Sequence, residues 1–310
     1  MHTLVFVEWM IMLLAKNCKT PKSEPVPGMR AWLVMSVIAL LLKSVNLLAG
    51  EPASWVVYYH NSLTPDAFEP YSLVILDSDA HPPISPLLSS GKTVLGYISL
   101  GEVADYRSWY QEVSKEGLLL NENQFWPGSY LIDLRDQRWT KRVIEELIPK
   151  ILRQGFSGIF IDTLDNASEL ERIDKKKYAG MASSAVDLIK AIRRHYPEIK
   201  IVLNRGYDLL PQVGGEIDIA LGESVYSTYN HKTKKYGLVN ENLYKQQVDI
   251  LQNAAKQFPD LQIYTLDYWD PEDIKGIKKI YKTQRKNGFV PYVSTIGLDR
   301  IVTESGQPNR

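Results

Sequence analysis

The stretch that decides the fold reads Gly155-Phe156-Ser157-Gly158-Ile159-Phe160-Ile161-Asp162-Thr163-Leu164-Asp165. Gly155 is placed to end a helix, and the apolar run 159–161 lacks polar alternation, which is typical of a parallel strand buried on both faces. The run stops at Asp162. Because α/β folds carry their functional side chains at the carboxyl ends of parallel strands, Asp162 is a candidate catalytic residue. The alternative is that Asp162 caps the next helix.

Seven other β-type runs accompany this one along the chain. The eight runs span residues 55–59, 73–77, 94–99, 159–162, 201–204, 217–221, 263–267 and 290–294. Eight strand–helix units in about 250 residues match the size of a (β/α)₈ barrel. The sequence therefore predicts an α/β fold, a TIM barrel over residues 51–310. An open, doubly wound sheet is the alternative.

Helical periodicity separates the later runs. Helices are predicted at 139–154, 181–195 and 243–258, and Pro149 should kink the first of them. Asp270 followed by Pro271 predicts the N-cap and first turn of another helix. Gly155 and Gly288 each precede a strand and should end the preceding helix in the left-handed conformation. Residues 111–129 read as loops, and 130–133 as a ninth, short strand.

Composition excludes several classes of protein. The chain has 310 residues, 45% of them hydrophobic, with 36 basic and 36 acidic residues, so it is an ordinary globular chain and not a nucleic-acid binder. Cys18 is the only cysteine, which rules out a disulfide framework and a cysteine-based zinc site.

The first fifty residues form a separate leader region. An apolar core at 31–42 follows Met29 and Arg30, and the small residues Ala49 and Gly50 end the segment. This order predicts a secretory signal, because the core is shorter than the roughly 20 residues that span a bilayer. We therefore expect export to the periplasm or the outside of the cell. The alternative is a leader that is kept as a membrane anchor, which would be the protein's one link to the membrane.

Acidic and aromatic side chains recur where the predicted strands end. If the strands close into a barrel, these side chains meet at one rim. Carboxyl groups and flat aromatic faces at such a rim suit glycoside hydrolysis, in which one carboxyl protonates the leaving oxygen and a second attacks or activates water. The alternative is a set of helix caps and solvated loops. The residues concerned include Asp77, Tyr97, Glu102, Asp162, Asp165, Asn204, Arg205, Glu223, Tyr226, Asp267, Tyr268 and Trp269.

No metal or cofactor is predicted. The segment 77–81 holds two aspartates and His81, but no partner histidine accompanies them.

Four motifs stand out together: Gly96-Tyr97-Ile98-Ser99-Leu100-Gly101-Glu102, the stretch 155–165, Leu203-Asn204-Arg205-Gly206 and Gly222-Glu223-Ser224-Val225-Tyr226. In combination they resemble glycoside hydrolase family 114, which includes endo-α-1,4-polygalactosaminidases and the hydrolase domain acting on Pel-type exopolysaccharide. The resemblance covers residues 53–300. It implies a (β/α)₈ barrel that hydrolyses α-1,4-linked galactosamine or N-acetylgalactosamine polymers without a metal.

The resemblance also assigns roles to particular residues. The family's catalytic aspartate falls on Asp162 and its catalytic glutamate on Glu223. We interpret Asp162 as the nucleophile and Glu223 as the general acid/base of a retaining, endo-acting glycosidase. We expect substrate contacts from Glu102, Tyr97, Asp165, Asn204, Arg205, Tyr226, Asp267, Tyr268 and Trp269. An acidic rim would attract a cationic polysaccharide. A catalytically silent carbohydrate-binding barrel is the alternative function.

Overall fold

The computed structural model describes residues 54–304, so the predicted leader lies outside the described residues. Eight parallel strands form one sheet, in which the neighbouring strands begin in order at Trp55, Leu73, Thr93, Gly158, Lys200, Ile219, Gln262 and Val290. The two end strands of this order approach each other, since Trp55 Nε1 of the first donates to the Val290 carbonyl of the last at 3.1 Å. The sheet is thus a nearly closed barrel with helices between the strands, as predicted. In the described range, no helix is both long and apolar enough to cross a membrane.

The strands and helices are numbered in chain order. The strands are β1 (Trp55–Tyr58), β2 (Leu73–Asp77), β3 (Thr93–Ser99), β4 (Glu102–Ala104), β5 (Leu119–Glu122), β6 (Ser129–Ile132), β7 (Gly158–Asp162), β8 (Lys200–Asn204), β9 (Ile219–Glu223), β10 (Ser227–Asn230), β11 (Lys235–Leu238), β12 (Gln262–Tyr268) and β13 (Val290–Ser294). The helices are α1 (Ile84–Ser89), α2 (Tyr110–Lys115), α3 (Gln137–Arg142), α4 (Ile148–Arg153), α5 (Asp165–Ile173), α6 (Met181–His195), α7 (Leu210–Val213), α8 (Glu241–Gln257) and α9 (Ile274–Lys286).

Strand β7 forms as the opening stretch predicts. Gly155 has a φ of 104° and ends the preceding helix, and Ile159 and Ile161 are completely buried. Gly158 is required where β7 lies against β8, because a Cβ there would stand 2.0 Å from the Lys200 carbonyl oxygen. Gly288, with a φ of 85°, ends a helix in the same left-handed conformation. Both glycine predictions are confirmed.

Pro149 does interrupt its helix. A π-helical turn, Val143–Leu147, separates α3 from α4, and Pro149 lies in the first turn of α4. Proline has no N–H to donate to the preceding turn and its ring crowds that turn. A wider π turn directly before it accommodates the ring.

One predicted helix start is wrong. Asp273, not Asp270, caps α9, and its carboxylate accepts from the Gly276 N–H at 2.9 Å. Asp270 instead accepts from the Glu272 N–H at 3.0 Å within a turn. An aspartate in a turn and one at a helix start make the same short side-chain bond, so the sequence offers both readings.

Two insertions follow barrel strands at their carboxyl ends. A three-stranded antiparallel side sheet, in the order β4-β6-β5, follows β3 and contains the predicted ninth strand as β6. The antiparallel hairpin β10–β11 follows β9. Residues 111–129 are not all loop as predicted, because they include most of α2 and the whole of β5. Val113 and Leu118 are completely buried and anchor this segment to the core.

Candidate active site

Asp162 is the last residue of β7 and accepts three hydrogen bonds. The Tyr97 hydroxyl donates to its Oδ2 at 2.9 Å, while Asn204 Nδ2 and the Thr163 N–H each donate to its Oδ1 at 2.9 Å. Since donors to a carboxylate stabilise its charged form and fix its direction, Asp162 is held in one orientation at the barrel rim.

Glu223 is the last residue of β9 and lies beside Asp162. The Tyr268 hydroxyl donates to Oε1 at 2.6 Å, and Asn204 Nδ2 donates to Oε2 at 2.6 Å. Both partners sit at the ends of neighbouring strands, β12 and β8, so the barrel itself orients the side chain.

Asn204 therefore bridges the two carboxyl groups. Its side-chain nitrogen donates to Asp162 at 2.9 Å and to Glu223 at 2.6 Å, so the two facing oxygens cannot be further apart than the sum of these lengths. Asn204 is only 3% exposed, and its Oδ1 has no partner among the described residues. The amide both spaces the acids and leaves one buried acceptor unused.

The residue directly after each of these three side chains adopts the left-handed conformation. Thr163, Arg205 and Ser224 have φ values of 67°, 55° and 54°. A non-glycine residue with positive φ is strained, and such strain concentrates at functional sites. The N–H groups of Arg205 and Ser224 still bond to the next strand, at 2.8 Å in both cases. Strands β8 and β9 thus remain hydrogen-bonded to the neighbouring strand as far as the residue after the functional side chain.

Burial and mutual repulsion raise the pKa of Asp162. Removal from water is the larger cause and the negative charge of Glu223 the next, and together they raise the pKa from 3.8 to about 7. A carboxyl pair this close holds one proton near neutral pH. The phenols of Tyr97 and Tyr268 have pKa values raised well above 10 by burial, so both stay neutral and act as donors.

A cavity of about 890 Å³ opens over the pair, within the range of small-molecule sites. Its wall brings together eight of the eleven predicted site residues: Tyr97, Glu102, Asp162, Asp165, Asn204, Arg205, Glu223 and Tyr268.

Asp165 and Arg205 form an ion pair at the cavity wall. Arg205 Nε lies 3.0 Å from Asp165 Oδ2, and both side chains are partly exposed. Burial is the first cause that raises the pKa of Asp165, and the neighbouring guanidinium opposes it. The ion pair places one group of each sign at the cavity wall, and the two charges offset each other.

Glu102 is bound on all sides by polar side chains. Its Oε1 accepts from Asn123 and Asn166 at 2.6 Å each, and its Oε2 accepts from Ser129 at 2.5 Å. The side chain is 5% exposed. Glu102 thereby ties the side sheet to the start of α5 and shapes the cavity wall.

Asp267 does not reach the cavity, contrary to the prediction of a substrate contact. It is 0% exposed, accepts from the N–H groups of Tyr226 and Ser227 at 2.7 and 2.8 Å, and accepts from Gln284 of α9 at 2.6 Å. Successive side chains of a strand point to opposite faces, so Tyr268 faces the cavity and Asp267 the helix layer. Burial raises the pKa of Asp267 to about 6.

Tyr226 and Trp269 are likewise not among the residues that line the cavity. Tyr226 packs on Tyr244 with ring centroids 5.2 Å apart, and Trp269 Nε1 donates to Asp273 at 2.9 Å. Both contact the cluster around Ile277. Their geometry assigns them to packing against α8 and α9.

Several cavity residues were not predicted. Tyr59 follows β1 and packs its ring 5.0 Å from that of Tyr97, so the strand-end rule applied to β1 would have found it. Arg107 lines the wall while forming ion pairs with Asp77 at 2.6 Å and Asp79 at 2.7 Å. No periodic signal pointed to Arg107, because it lies in the irregular segment after β4.

A comparison with known protein families identifies the family of this chain. The model of glycoside-hydrolase family GH114 matches residues 43–308. An uncharacterized protein of Thermotoga maritima is 26% identical over 245 residues, which are 73% of this chain and 73% of that protein. An uncharacterized protein of Deinococcus radiodurans is 24% identical over 246 residues, 75% of this chain and 76% of that one.

Solved structures share the fold. The glycoside hydrolase domain of PelA from Pseudomonas aeruginosa matches with a TM-score of 0.72 and 24% identity, covering 82% of this chain and 99% of that domain. Aspergillus fumigatus Ega3, solved in complex with galactosamine, matches with a TM-score of 0.60 and 14% identity, covering 81% and 94%.

Proposed function

This protein belongs to glycoside-hydrolase family GH114 and is a glycosidase. We propose that it cleaves polymers of α-1,4-linked galactosamine or N-acetylgalactosamine. We propose further that it cuts internal bonds of the polysaccharide and retains the anomeric configuration. The observation that carries the proposal is the Asn204 bridge. Retaining enzymes place their two carboxyls about 5–5.5 Å apart and inverting enzymes about 6.5–9.5 Å apart. Two hydrogen bonds of 2.9 and 2.6 Å to one amide nitrogen keep the facing oxygens of Asp162 and Glu223 closer together than the inverting range, which supports retention.

The first chemical step forms a bond to Asp162. Its carboxylate attacks the anomeric carbon while Glu223 gives its proton to the glycosidic oxygen, and the bond between that carbon and oxygen breaks. Water then attacks the glycosyl ester, Glu223 takes the proton of the water, and Asp162 leaves as a carboxylate. Asp162 accepts three hydrogen bonds, and these stabilise the carboxylate that leaves in this second step.

The singly protonated pair is the state that this cycle needs. The raised pKa of Asp162, about 7, means that the empty pair holds one proton near neutral pH. Asn204 contacts both acids, so a proton that moves between them leaves the bridge in place. Bound substrate would favour a charged Asp162, because positive charge develops at the anomeric carbon in the transition state.

The choice of an amino sugar rests on charge and on one relative. Four carboxyl groups line the cavity, Glu102, Asp162, Asp165 and Glu223, together with two guanidinium groups. Arg205 offsets the charge of Asp165, and Arg107 is offset by Asp77 and Asp79. Because Asp162 and Glu223 share one proton, the wall keeps a net negative charge. Such a wall favours an ammonium-bearing sugar. Ega3, which shares the fold, has been solved with galactosamine bound.

Product analysis on polymers of galactosamine, N-acetylgalactosamine and glucosamine tests the substrate. We expect wild-type protein to shorten the first two and to leave the glucosamine polymer intact. Asp162→Asn and Glu223→Gln should each reduce turnover by about 10³-fold or more while the protein stays folded. Near-native rates in either variant would contradict the role of that residue, and cleavage of the glucosamine polymer alone would contradict the proposed sugar.

A further inference from the structure

Three exposed aromatic side chains line the cavity outside the catalytic pair. Tyr106, Phe125 and Trp126 are 76%, 81% and 55% exposed, and all three belong to the cavity wall. A large apolar side chain that stays in water forfeits the free energy that burial would supply. Flat, exposed rings at the wall of a polysaccharide cleft are therefore suited to stack against a ligand that has one apolar face.

Phe125 and Trp126 lie on a loop that is fixed before any ligand arrives. We call residues 123–128, between β5 and β6, the aromatic loop. Its base is bound through Asn123 to Glu102 at 2.6 Å, and the Phe125 N–H donates to Asn123 Oδ1 at 2.8 Å. The Gly128 N–H donates to Glu122 at 2.7 Å, and Gly128 has a φ of 83°. A preorganised loop presents its rings at little entropic cost.

The aromatic loop meets the β10–β11 hairpin at the edge of the cavity. The Trp126 ring packs edge-on against His231 with centroids 5.3 Å apart. Thr228, Tyr229 and His231 of the hairpin also line the cavity. Two insertions, one after β3 and one after β9, thus hold the Trp126 ring in place.

We infer that Phe125 and Trp126 form a stacking subsite for a sugar ring of the polymer that is not one of the two flanking the cleaved bond. A pyranose ring presents C–H groups on one face, which pack on an aromatic ring, and an ammonium substituent adds a cation–π attraction. The inference rests on the proposed function, since it specifies how that site holds a long substrate. It accounts for the exposure of these two rings and for the rigidity of their loop.

Polymer binding tests the subsite without turnover. The Glu223→Gln variant is used as the background because it leaves the polymer intact. Binding of α-1,4-galactosamine polymer to this variant is compared with binding to a triple variant that also carries Phe125→Ala and Trp126→Ala. We expect the aromatic substitutions to weaken polymer binding by about tenfold or more, and to leave binding of monomeric galactosamine unchanged. Unchanged polymer binding would overturn the inference, as would an equal loss for the monomer.

A matched control uses exposed apolar residues that do not line the cavity. Ile173 and Leu238 are 65% and 53% exposed. Ile173→Ala with Leu238→Ala in the same Glu223→Gln background should bind the polymer as Glu223→Gln alone does. Thermal unfolding of all variants shows that the loops remain folded. Wild-type turnover of the polymer is measured separately, so that failure of the proposed hydrolase activity is distinguished from failure of the stacking subsite.

Discussion

At the scale of residues, Asn204 explains why two carboxyl groups can remain so close. Its one amide nitrogen faces both acids, and the neutral phenols of Tyr97 and Tyr268 each add a donor on the outer side. Donors on every side offset part of the repulsion between the acids and set their spacing. If the shared amide of Asn204 positions both acids, its removal should have effects that loss of a donor to only one acid does not have.

Asn204→Ala should lower kcat more than the loss of either phenol. The substitution removes a donor from both acids at once, whereas Tyr97→Phe and Tyr268→Phe each remove a donor from one. We expect a loss of about 10²–10³-fold in kcat for Asn204→Ala, and a smaller loss for each tyrosine variant. Steady-state kinetics on one polymer decides this. The bridging role is wrong if Asn204→Ala is no slower than the phenylalanine variants.

The activity of the wild-type protein should fall as the pH rises through about 7. Activity needs one proton on the pair, and the raised pKa of Asp162 marks where that proton leaves. The pH profile of kcat/KM measures this limb. With a substrate whose leaving group needs no protonation, Glu223→Gln should lack the alkaline limb. An alkaline limb that persists in this variant would show that the proton belongs to another group.

Asp162→Asn should stabilise the protein above pH 7 and not at pH 4. The folded pKa of Asp162, about 7, exceeds the usual value of 3.8, so the folded state holds this proton more tightly than the unfolded chain does. Stability is therefore lost as the pH rises from about 4 to about 7, and the deficit persists above that. Asparagine removes the charge. Thermal unfolding should show a gain in Tm at pH 8, at roughly 2–4 °C per kcal/mol.

A substitution at an exposed aspartate serves as the control. Asp260→Asn, in an exposed turn, should leave Tm within about 1–2 °C of wild type at both pH values. If Asp162→Asn is less stable than wild type at pH 8, burial of a charged Asp162 does not cost folding free energy, and the account of its pKa is wrong.

The sequence predicted that Asp162 and Glu223 lie at one rim because a simple rule applies to both. Asp162 and Glu223 each end an apolar run, and the carboxyl ends of parallel strands share one rim. The same rule failed for Asp267, which precedes the last residue of its strand and faces the helices. Side-chain alternation distinguishes the two cases, but only once the end of the strand is known to the residue.

At the scale of elements, the turn after β7 depends on a close approach between two backbone segments. The Gly101 N–H donates to the Thr163 hydroxyl at 2.9 Å, and a Cβ at Gly101 would stand 2.1 Å from the Thr163 carbonyl oxygen. Thr163 also has positive φ and directly follows Asp162. The left-handed turn that aims Asp162 is therefore held by a residue with no side chain.

Gly101→Ala should reduce both stability and activity. The added methyl must displace Thr163, and with it the Asp162 side chain, so we expect a loss of about 1–3 kcal/mol of unfolding free energy and a lower kcat. Denaturant unfolding and kinetics measure the two effects. Gly237→Ala in the β10–β11 hairpin is the matched control, because a Cβ there meets nothing within 4 Å. Equal behaviour of the two variants would contradict the close approach.

Long apolar runs predicted the eight barrel strands, whereas the side sheet was only partly predicted. Each barrel strand is buried on both faces, which gives a continuous apolar run. β5 has two partly exposed and two exposed residues, and its pairing with β6 contains an irregularity. Such a strand has neither a clean alternation nor an apolar run. The aromatic loop that it supports was missed for the same reason.

At the scale of the whole molecule, the leader remains a prediction. Residues 1–50 contain the apolar core 31–42, and we propose export with a mature chain that begins near Glu51. Amino-terminal sequencing of the protein from its native host, with fractionation of the cells, measures this. A chain that starts at Met1 in the cytoplasm would contradict export. A chain that starts at Met1 in the membrane fraction would show the leader to be an anchor.

The central claim is that Asp162 and Glu223 cleave the polymer by a retaining mechanism, and proton NMR of the first product tests it most directly. The signals of the new reducing end are recorded before mutarotation equilibrates the two anomers. From an α-1,4-linked galactosamine polymer, the pair held together by Asn204 should release the α-anomer first. Initial release of the β-anomer would show inversion and would contradict the account.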